Sequence, residues 1–504
     1  MTAHGPAMPV AMPLSALLAG VRPIDVGDDR AISDLALDSR MVGAGCCFVA
    51  LRGSRDHGTR FAADAVARGA VAILTEEALP SAPDGVPVIH VPGLRELLGT
   101  LANRLFDTPS QAVRVFAVTG TNGKTTVAHL AAQAFALLEG DAGYIGTLGA
   151  GPLQALEANA NTTPDVITVN RWLARLRARG TSAVTLEASS HALDQGRLAG
   201  LRIRGAAFTN LGRDHLDYHG DMASYGAAKR RLFELPGVAA AVVNIDDPFG
   251  AALAADLASR LPLITCSSGH GHGAAPARAA LTASAIEVDA TGLRFALGAD
   301  GASVPVASAL IGRFNIDNLL VIAGLLRTAG FALPRIGATL GRLGAVPGRL
   351  EACGATPAGA RVFVDYAHSP DSLAAVLATL RELAPRKLHL VFGCGGDRDR
   401  GKRPLMGACA EAGADAVVVT SDNPRSERAA DIAAEILAGM RAPSRATVIE
   451  DRAQAIRAAI AAAAEGDIVL VAGKGHEATQ IIGSSVRPFS DRAEVADACS
   501  EMRT

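Results

Sequence analysis

The sequence has 504 residues, of which 49% are hydrophobic and only 4% aromatic, and its formal net charge is −2. This length predicts about three domains, and its many small apolar side chains are typical of α/β layers. The near-neutral charge excludes a general electrostatic attraction to nucleic acid or to anionic membranes.

Other features of the composition indicate a reducing compartment. The seven cysteines are scattered without a CxxC pair, which argues against a disulfide framework or a zinc site. The first twenty residues lack the basic start of a secretory signal. No apolar run reaches the length of a membrane span. We therefore expect a soluble cytoplasmic protein, and we expect it to be a monomer.

The N-terminal segment, residues 1–110, predicts a small mixed α/β unit. Short strands are predicted at 47–51, 71–74 and 86–91, between alanine-rich helical stretches. Asp107, Thr108, Pro109 and Ser110 then predict a helix stop and a linker.

The central segment, residues 111–346, begins with a strand, a glycine-rich loop and a helix. Backbone N–H groups of such a loop, and the dipole of the helix, favour phosphate, while a lysine reaches the outer phosphates and a hydroxyl binds magnesium. Val118 occupies the position where the usual motif has its first glycine, so a glycine turn with an incidental lysine is the alternative. The residues of this loop are Gly120, Thr121, Asn122, Gly123, Lys124, Thr125 and Thr126.

Further strands are predicted at 183–187, 206–209 and 240–244, and 285–297 alternates like antiparallel strands. Glu187 ends the first of these strands, where it either holds magnesium or simply caps the strand. His215 lies in a segment dense in His and Asp, which suits a metal or a phosphate. Lys229 follows on a predicted helix, where a solvated basic face is the alternative. Asn161-Thr162-Thr163-Pro164-Asp165 is either a hydroxyl-rich binding loop or a helix N-cap.

The C-terminal segment, residues 347–504, alternates strands and helices like a Rossmann-like domain. Its strands are predicted at 362–365, 388–392, 416–420, 447–450 and 468–472. Two polar clusters follow strands, and the carboxyl ends of parallel strands form one ligand-binding crevice. An arginine there recognises a carboxylate and a glutamate complements an ammonium, so the clusters together predict a site for a zwitterionic amino acid. The first contains Asp422, Asn423, Pro424 and Arg425, and the second Gly473, Lys474 and Glu477.

The chain resembles the Mur ligase family over essentially its whole length, and within it the ligases that add the third residue of the wall peptide. The similar segments are, in family order, GTNGKTT, NTTPD, EASSHALDQGR, RDHLDYHG, YGAAKRRLF, GRFNIDN, GRLE, DYAHSPDSL, GDRDRGKRP, DNPR and GKGHE. The resemblance implies a three-domain α/β protein. Its N-terminal domain would bind the uridine nucleotide, its central domain ATP, and its C-terminal domain the incoming amino acid.

The resemblance also implies roles for single residues. Lys124 and its loop would bind the ATP phosphates, with Thr125 and Glu187 on magnesium, and His215 would help to hold a second magnesium ion. Lys229 would take up carbon dioxide to become a carbamate, which is a further oxygen ligand. Nucleotide contacts from outside the loop would be Asn318, Arg349 and Asp365. The uridine-linked dipeptide would be held by Leu37, Ser39, Asn161, Thr162, Thr163, Ser189, Gln195 and Arg197.

The third added residue is expected to be meso-diaminopimelate. In the family, the sequence DNPR accompanies this amino acid, whose distal carboxylate would pair with Arg425 and Arg398. Lysine lacks that carboxylate and would leave buried guanidinium groups unpaired. Gly473 and Glu477 would receive the distal amine. Ala478-Thr479 stands where the family pattern has Asp-Tyr, so one wall of the pocket is expected to differ.

These observations predict an ATP- and magnesium-dependent ligase that acts on small-molecule substrates. Two nearer alternatives are sister ligases, which add lysine to the same dipeptide or glutamate to a folate. A more distant one is a nucleotide-binding protein that uses ATP only to change conformation. The joint presence of Glu187, His215 and Lys229 argues against the last, because a pure binder has no use for two-metal chemistry.

Overall fold

The computed structural model describes residues 11–53, 56–78, 83–269, 279–289, 291–356 and 358–501. These residues form two compact units. The first contains the described residues up to 266, together with 279–280 and 324–331. The second contains 267–269, 281–323 and the described residues from 332 onwards. The predicted mixture of helices and sheets is confirmed, whereas the domain limits at 110 and 346 stay predictions.

The first unit contains most of the N-terminal half of the chain. Its strands are β1 Met12–Pro13, β2 Ala31–Ile32, β3 Asp34–Ala36, β4 Cys46–Ala50, β5 Ala70–Thr75, β6 Val88–His90, β7 Arg114–Thr119, β8 Gly143–Gly146, β9 Gly149–Pro152, β10 Ala183–Glu187, β11 Ile203–Phe208, β12 Ala241–Asn244 and β13 Leu263–Ser267. Its helices are α1 Leu14–Leu17, α2 Ala62–Ala67, α3 Leu94–Leu105, α4 Pro109–Ala112, α5 Lys124–Glu139, α6 Val166–Ala178, α7 Ser190–Asp194, α8 Leu216–His219, α9 Met222–Arg230 and α10 Pro248–Leu257.

The second unit contains most of the C-terminal half. Its strands are β14 Leu281–Asp289, β15 Gly292–Ala299, β16 Ala302–Ser308, β17 Glu351–Ala355, β18 Arg361–Asp365, β19 Leu388–Phe392, β20 Ala416–Val419, β21 Ala446–Val448, β22 Ile468–Ala472, β23 Thr479–Ile482 and β24 Ser485–Pro488. Its helices are α11 Phe314–Thr328, which continues into the first unit, α12 Leu333–Leu340, α13 Pro370–Glu382, α14 Lys402–Gly413, α15 Ala429–Leu437, α16 Arg452–Ala462 and α17 Asp491–Glu501.

Parallel sheets organise the first unit. Strands β3, β4, β5 and β6 pair in parallel in that order. A larger sheet has the order β13-β12-β11-β7-β10-β8-β9, with only β9 antiparallel to its neighbour. Strands β7 and β10 are almost fully buried, because helices cover both faces of a parallel sheet. The order places the carboxyl ends of β11, β7 and β10 side by side.

The second unit has a sheet with the order β17-β18-β22-β19-β20-β21, parallel except for β17. The carboxyl ends of β22, β19 and β20 are therefore neighbours, where an open α/β sheet binds its ligand. Strands β14, β15 and β16 form an antiparallel meander, and β23 and β24 form a hairpin.

The structure changes some predicted boundaries. The linker at 107–110 contains the start of α4, because Pro109 occupies the first turn, where the absence of an N–H costs nothing. The strand predicted at 206–209 begins earlier, at Ile203, and ends at Phe208. Among the described residues, no helix has both the length and the apolar character needed to cross a membrane.

Candidate active site

The loop between β7 and α5 has a backbone that only glycine tolerates at two points. Gly120 has a φ of 147°, and a Cβ there would lie 1.9 Å from Thr209 Oγ1. Gly123 has a φ of 82° and caps the start of α5. The exposed N–H groups of a sixteen-residue helix and its dipole therefore face the loop. This geometry suits phosphate and confirms the predicted strand-loop-helix arrangement.

The segment after β11 fixes the shape of this loop. The Thr209 hydroxyl donates to the Asn122 carbonyl at 2.6 Å, and the Asn122 N–H donates to Asn210 Oδ1 at 2.9 Å. The Gly212 N–H donates to Thr121 Oγ1 at 2.9 Å. These bonds hold the loop in one conformation, so that its amides are pre-positioned for a ligand.

Two lysines converge on one carbonyl of the loop. Lys124 Nζ donates to the Gly120 carbonyl at 3.0 Å and to the Thr121 carbonyl at 2.8 Å. Lys229 Nζ donates to the same Gly120 carbonyl at 2.6 Å and lies 4.2 Å from the centroid of the Tyr225 ring. The structure thus brings Lys229, from the end of α9, next to the phosphate loop, which is the segment 120–126 that follows β7 and includes the start of α5.

Lys229 is not on a solvated basic face, because only 1% of its surface is exposed. Burial, together with the nearby Lys124 ammonium, lowers the pKa of Lys229 well below its usual range, although Asp214 opposes the shift. A lowered pKa increases the neutral fraction of the amine, and the neutral amine is the nucleophilic form.

Glu187 is fully buried at the end of β10 and accepts four hydrogen bonds. Oε1 accepts from Tyr144 Oη at 2.5 Å and from the Thr147 N–H at 2.8 Å. Oε2 accepts from Thr125 Oγ1 at 2.9 Å and from Thr147 Oγ1 at 3.2 Å. A carboxylate and three hydroxyl groups therefore meet beside the phosphate loop. Mg²⁺ prefers such oxygen ligands and usually takes one or two carboxylates, with phosphates and water completing the shell.

The oxygen atoms around Glu187 suit magnesium better than a metal ion bound by protein side chains alone. Within the described ranges, no three His, Cys, Asp or Glu side chains are grouped to hold an ion. His215 is 44% exposed, its Nε2 lies 3.5 Å from Asp214 Oδ2, and its φ is 52°. Burial lowers the pKa of His215, and Lys124 and Lys229 add to the effect while Asp214 opposes it. A neutral imidazole is the form that binds a metal.

His215 belongs to a cluster of aromatic rings. Its ring centroid lies 4.9 Å from that of His191, and the His191 centroid lies 4.2 Å from that of Tyr218 and 5.5 Å from that of His219. Burial and then the neighbouring imidazoles lower the pKa of His191. The titratable groups that are close in sequence after β11 thus also lie close together in the structure.

The loop before α6 supplies the predicted helix cap, while its binding role stays a prediction. Asp165 caps α6 by accepting from the N–H groups of Ile167 and Thr168, at 3.0 Å each. Thr162 Oγ1 lies 3.1 Å from Thr147 Oγ1, and Thr163 Oγ1 donates to the Glu187 carbonyl at 2.6 Å. The loop therefore lies beside the phosphate-binding groups, while Asn161 in the same loop is exposed.

The groups predicted to hold the dipeptide lie close to that loop. Ser189 Oγ lies 3.2 Å from Thr163 Oγ1, and Arg197 Nη1 donates to the Thr163 carbonyl at 2.7 Å. Gln195 Oε1 accepts from Arg197 at 2.7 Å. The two uridine-side candidates, Leu37 and Ser39, follow β3 and flank Asp38, which caps a short 3-10 helix.

The second unit holds the other three nucleotide candidates. Asn318 is buried in α11 and donates to Asn315 Oδ1 at 2.9 Å. Arg349 lies over the Tyr366 ring, 4.6 Å from its centroid. Asp365, at the end of β18, accepts from the Leu350 N–H at 2.6 Å and the Ala367 N–H at 2.7 Å. Burial raises the pKa of Asp365, although Arg349 and these hydrogen bonds oppose the shift.

Two arginines meet above Gly395 in the second unit. A Cβ at Gly395 would lie 3.1 Å from Arg425 Nη1 and 3.6 Å from Arg398 Cγ. Arg425 Nη1 donates to the Gly396 carbonyl at 2.8 Å. Arg425 itself has a φ of 51°, a strained value for this residue, and such strain is concentrated at functional sites. The Arg425 guanidinium and the aliphatic part of Arg398 thus lie side by side, with Arg398 exposed and Arg425 partly buried, so the expectation that both guanidinium groups are buried is wrong.

The clusters after β20 and β22 are in direct contact, as predicted. Asn423 Nδ2 and Lys474 Nζ each donate to Glu477 Oε2 at 2.8 Å. Burial alone raises the pKa of Glu477, but Lys474 and these hydrogen bonds outweigh it and lower the pKa. Glu477 therefore carries a negative charge suited to an ammonium. Gly473 has a φ of 116°, and a Cβ there would lie 2.7 Å from the buried Asp422 Oδ2.

Sequence reasoning missed several residues of the site. Tyr144 and Thr147 hold Glu187 but lie in a glycine-rich stretch around β8 without a recognisable motif. Lys474 was placed in the second predicted cluster, but its contact with Glu477 was not expected. Tyr225 was hidden on α9, one turn before Lys229.

A phosphate loop beside a buried carboxylate, together with an Arg and Glu cluster on a Rossmann-like sheet, is typical of a ligase that activates a carboxylate with ATP and joins an amine to it. Comparison with known families agrees. The Mur ligase family catalytic domain matches residues 31–105, the Mur ligase middle domain 118–326, and the Mur ligase glutamate ligase domain 348–475.

Individual proteins are similar over nearly the whole chain. UDP-N-acetylmuramoyl-L-alanyl-D-glutamate--2,6-diaminopimelate ligase of Xanthomonas oryzae pv. oryzae is 48% identical over 493 residues, covering 97% of both chains. A solved structure of a ligase of the same name is 35% identical, covers 98% of this chain and 100% of its own, and has a TM-score of 0.67. The protein belongs to the Mur ligase family.

A more distant structure shows the shared fold alone. The MurF ligase of Thermotoga maritima, solved in complex with ADP, is 18% identical and has a TM-score of 0.61. It covers 95% of this chain and 98% of its own.

Proposed function

We propose that this protein is an ATP-dependent ligase that adds meso-2,6-diaminopimelate to the D-glutamate side-chain carboxylate of UDP-MurNAc-L-Ala-D-Glu, in peptidoglycan biosynthesis. The position of Arg425 beside Arg398, on a loop whose Asn423 bonds to Glu477, carries the proposal. Diaminopimelate has a distal carboxylate for the guanidinium groups and a distal amine for Glu477. The diaminopimelate-adding relatives, 48% identical over 97% of the chain, support the same substrate.

The first chemical step would activate the glutamate carboxylate. One of its oxygens attacks the γ-phosphorus of ATP, the bond to the bridging oxygen breaks, and ADP leaves an acyl phosphate. Lys124 and the amides of its loop offset the repulsion between the two anions. Magnesium, held near Thr125 and Glu187 with help from His215, would supply further charge neutralisation.

The second step would form the new amide bond. The amine of diaminopimelate attacks the acyl carbon, phosphate leaves with the bonding electrons, and the nitrogen loses a proton. Thr162, Thr163, Ser189, Gln195 and Arg197 lie around the loop that would hold the dipeptide close to Glu187. Orientation of the two reactants accounts for much of the rate in such a step.

Lys229 would act as a carbamate. Its neutral amine attacks carbon dioxide and releases a proton, which gives an N-carboxylysine whose oxygens are magnesium ligands. The lowered pKa and complete burial of this lysine support the proposal, because both favour the reactive amine and protect the product from water.

The proposal extends to the organisation of the chain. Residues 1–110 would bind the uridine nucleotide through Leu37 and Ser39, residues 111–346 would bind ATP, and residues 347–504 the amino acid. Asn318, Arg349 and Asp365 would complete the nucleotide site. The enzyme would work as a monomer in the cytoplasm. Its product would support cell-wall growth, cell shape and cell division.

Phosphate release tests the proposal directly. Purified protein is mixed with ATP, magnesium and UDP-MurNAc-L-Ala-D-Glu, and either meso-diaminopimelate or L-lysine is added. We expect phosphate release in the mixture that contains diaminopimelate and none in the mixture that contains lysine. Release with lysine alone would identify a lysine-adding ligase, and release with neither would favour a protein that uses ATP only to change conformation.

A further inference from the structure

Arg403, in the first turn of α14, is a fully buried cation with an unusual set of partners. Its Nη1 and Nη2 donate to the two carboxylate oxygens of Glu427 at 2.9 and 2.8 Å. Nη1 also donates to Glu435 Oε2 at 2.8 Å, and Nη2 donates to the Gly395 carbonyl at 3.2 Å. One planar guanidinium thus binds groups from three separate segments of the second unit.

Two of those segments present the arginines of the proposed amino-acid site. Glu427 follows Arg425 by two residues, and Gly395 precedes Arg398 by three. The loops that contain them are the segment 393–398, after β19, and the segment 421–427, after β20. They are also joined directly, because Glu427 Oε1 accepts from the Asp397 N–H at 2.7 Å.

Both loops contain strained backbone at the point of contact. Asp397 has a φ of 53° and Arg425 a φ of 51°. Non-glycine residues keep a positive φ only where surrounding contacts hold the backbone in that conformation. The Arg403–Glu427 pair supplies such a restraint, because it fixes the carboxylate that in turn holds the Asp397 N–H.

Stability alone is a poor explanation for this arrangement. Buried ion pairs contribute little net stability relative to apolar residues of similar volume. Arg403 Nε is moreover buried without a hydrogen-bond partner among the described atoms, and an unpaired buried donor is costly. The geometry is better suited to fixing the relative position of two loops than to maximising the free energy of unfolding.

We infer that Arg403 is a positioning residue for amino-acid selection: its bidentate contact with Glu427 and its bond to Gly395 set the spacing at which Arg398 and Arg425 meet the distal carboxylate of the substrate. This inference rests on the proposed function, because it assumes that the two arginines bind that carboxylate. Lysine in place of Arg403 keeps one charge but lacks the fork that binds both loops at once.

The test compares the full-length wild type with Arg403→Lys and the milder Glu427→Gln. We expect either variant to raise KM for diaminopimelate by about tenfold or more, since displacements of about 1 Å cost large factors in binding geometry. KM for ATP should stay within about twofold, because the phosphate loop lies in the other unit. Arg400→Gln is the matched control, since exposed Arg400, two residues before α14, also pairs with Glu435, and its replacement should leave both constants unchanged.

Each outcome decides the inference. An unchanged KM for diaminopimelate in Arg403→Lys, or equal changes in both KM values accompanied by a lower melting temperature, would overturn it. If Arg403→Lys does not fold, Glu427→Gln decides by the same comparison, the change in KM for diaminopimelate against the change in KM for ATP. Failure of the proposed function is distinguishable, because the wild type itself would then release no phosphate with diaminopimelate.

Discussion

The buried amine of Lys229 leads to the first prediction at the scale of single residues. We expect Lys229→Ala to lower kcat by at least about 100-fold, because loss of the proposed carbamate ligand would remove several kcal/mol of charge stabilisation at the metal. Formate or acetate should restore part of the activity by replacing the carbamate oxygens. Steady-state phosphate release, with and without added carboxylate, measures both effects.

Lys387→Ala is the control for this variant, since Lys387 is exposed and lies in the other unit. Full activity of Lys229→Ala, without any dependence on the added carboxylate, would contradict the carbamate role.

Arg425 supports the second prediction. Its replacement by alanine removes one guanidinium from the region above Gly395. We expect KM for diaminopimelate to rise about 10- to 100-fold, since hydrogen bonds to charged groups contribute about 1.5–3 kcal/mol. KM for ATP should change little. The exposed neighbour Arg428 provides the control Arg428→Ala. Equal changes in both KM values would show that Arg425 does not select the amino acid.

Single residues also show how far sequence reasoning reaches. The phosphate loop was predictable because Gly120, Gly123 and Lys124 are adjacent in the chain and their roles depend on local backbone geometry. The position of Lys229 was not predictable from local patterns, because its bond to Gly120 joins residues 109 positions apart. Only resemblance to a family pointed to it.

At the scale of elements, α5 contains a buried histidine that affects stability. Burial lowers the pKa of His129 to about 4 from an ordinary 6.5. Between these values the unfolded chain binds a proton and the folded chain does not, so the free energy of unfolding falls as the pH decreases from 6.5 to 4. The loss attributable to His129 approaches roughly 3 kcal/mol below pH 4.

His129→Leu should therefore weaken the decrease in stability across this pH range, as urea unfolding at a series of pH values would show. The exposed His90 provides a control substitution that also removes one histidine. An unchanged slope in His129→Leu would indicate that His129 is protonated in the folded protein.

The elements predicted best were the buried parallel strands. Strands β10, β19 and β22 have the predicted limits, since each is a short, mostly apolar run that is fully buried. The glycine-containing strands β8, β9 and β17 were missed, because glycine weakens the strand signal. The hairpin of β23 and β24 was missed as well, and its β23 residue Ile481 accepts from the Arg425 N–H at 3.1 Å.

At the scale of the whole molecule, the two units contain different parts of the proposed chemistry. The phosphate loop, Glu187 and Lys229 lie in the first unit, while Arg398, Arg425 and Glu477 lie in the second. We expect hydrogen exchange to show separate footprints. Mg²⁺–ADP should protect amides at 119–126, and diaminopimelate should protect amides at 395–398 and 422–427. Protection of 119–126 by diaminopimelate alone would contradict this separation.

The placement of Arg398, Arg425 and Glu477 on loops of one sheet has an evolutionary consequence. The groups proposed to choose the amino acid follow strands β19, β20 and β22, and the hydrogen bonds between these loops lie within the second unit. Under the proposed function, substitutions there would alter which amino acid is accepted and leave the phosphate loop of the first unit in place. A lineage can thus acquire a different wall peptide by drift in three short loops, and an inhibitor aimed at those loops meets a more variable target than one aimed at the phosphate loop.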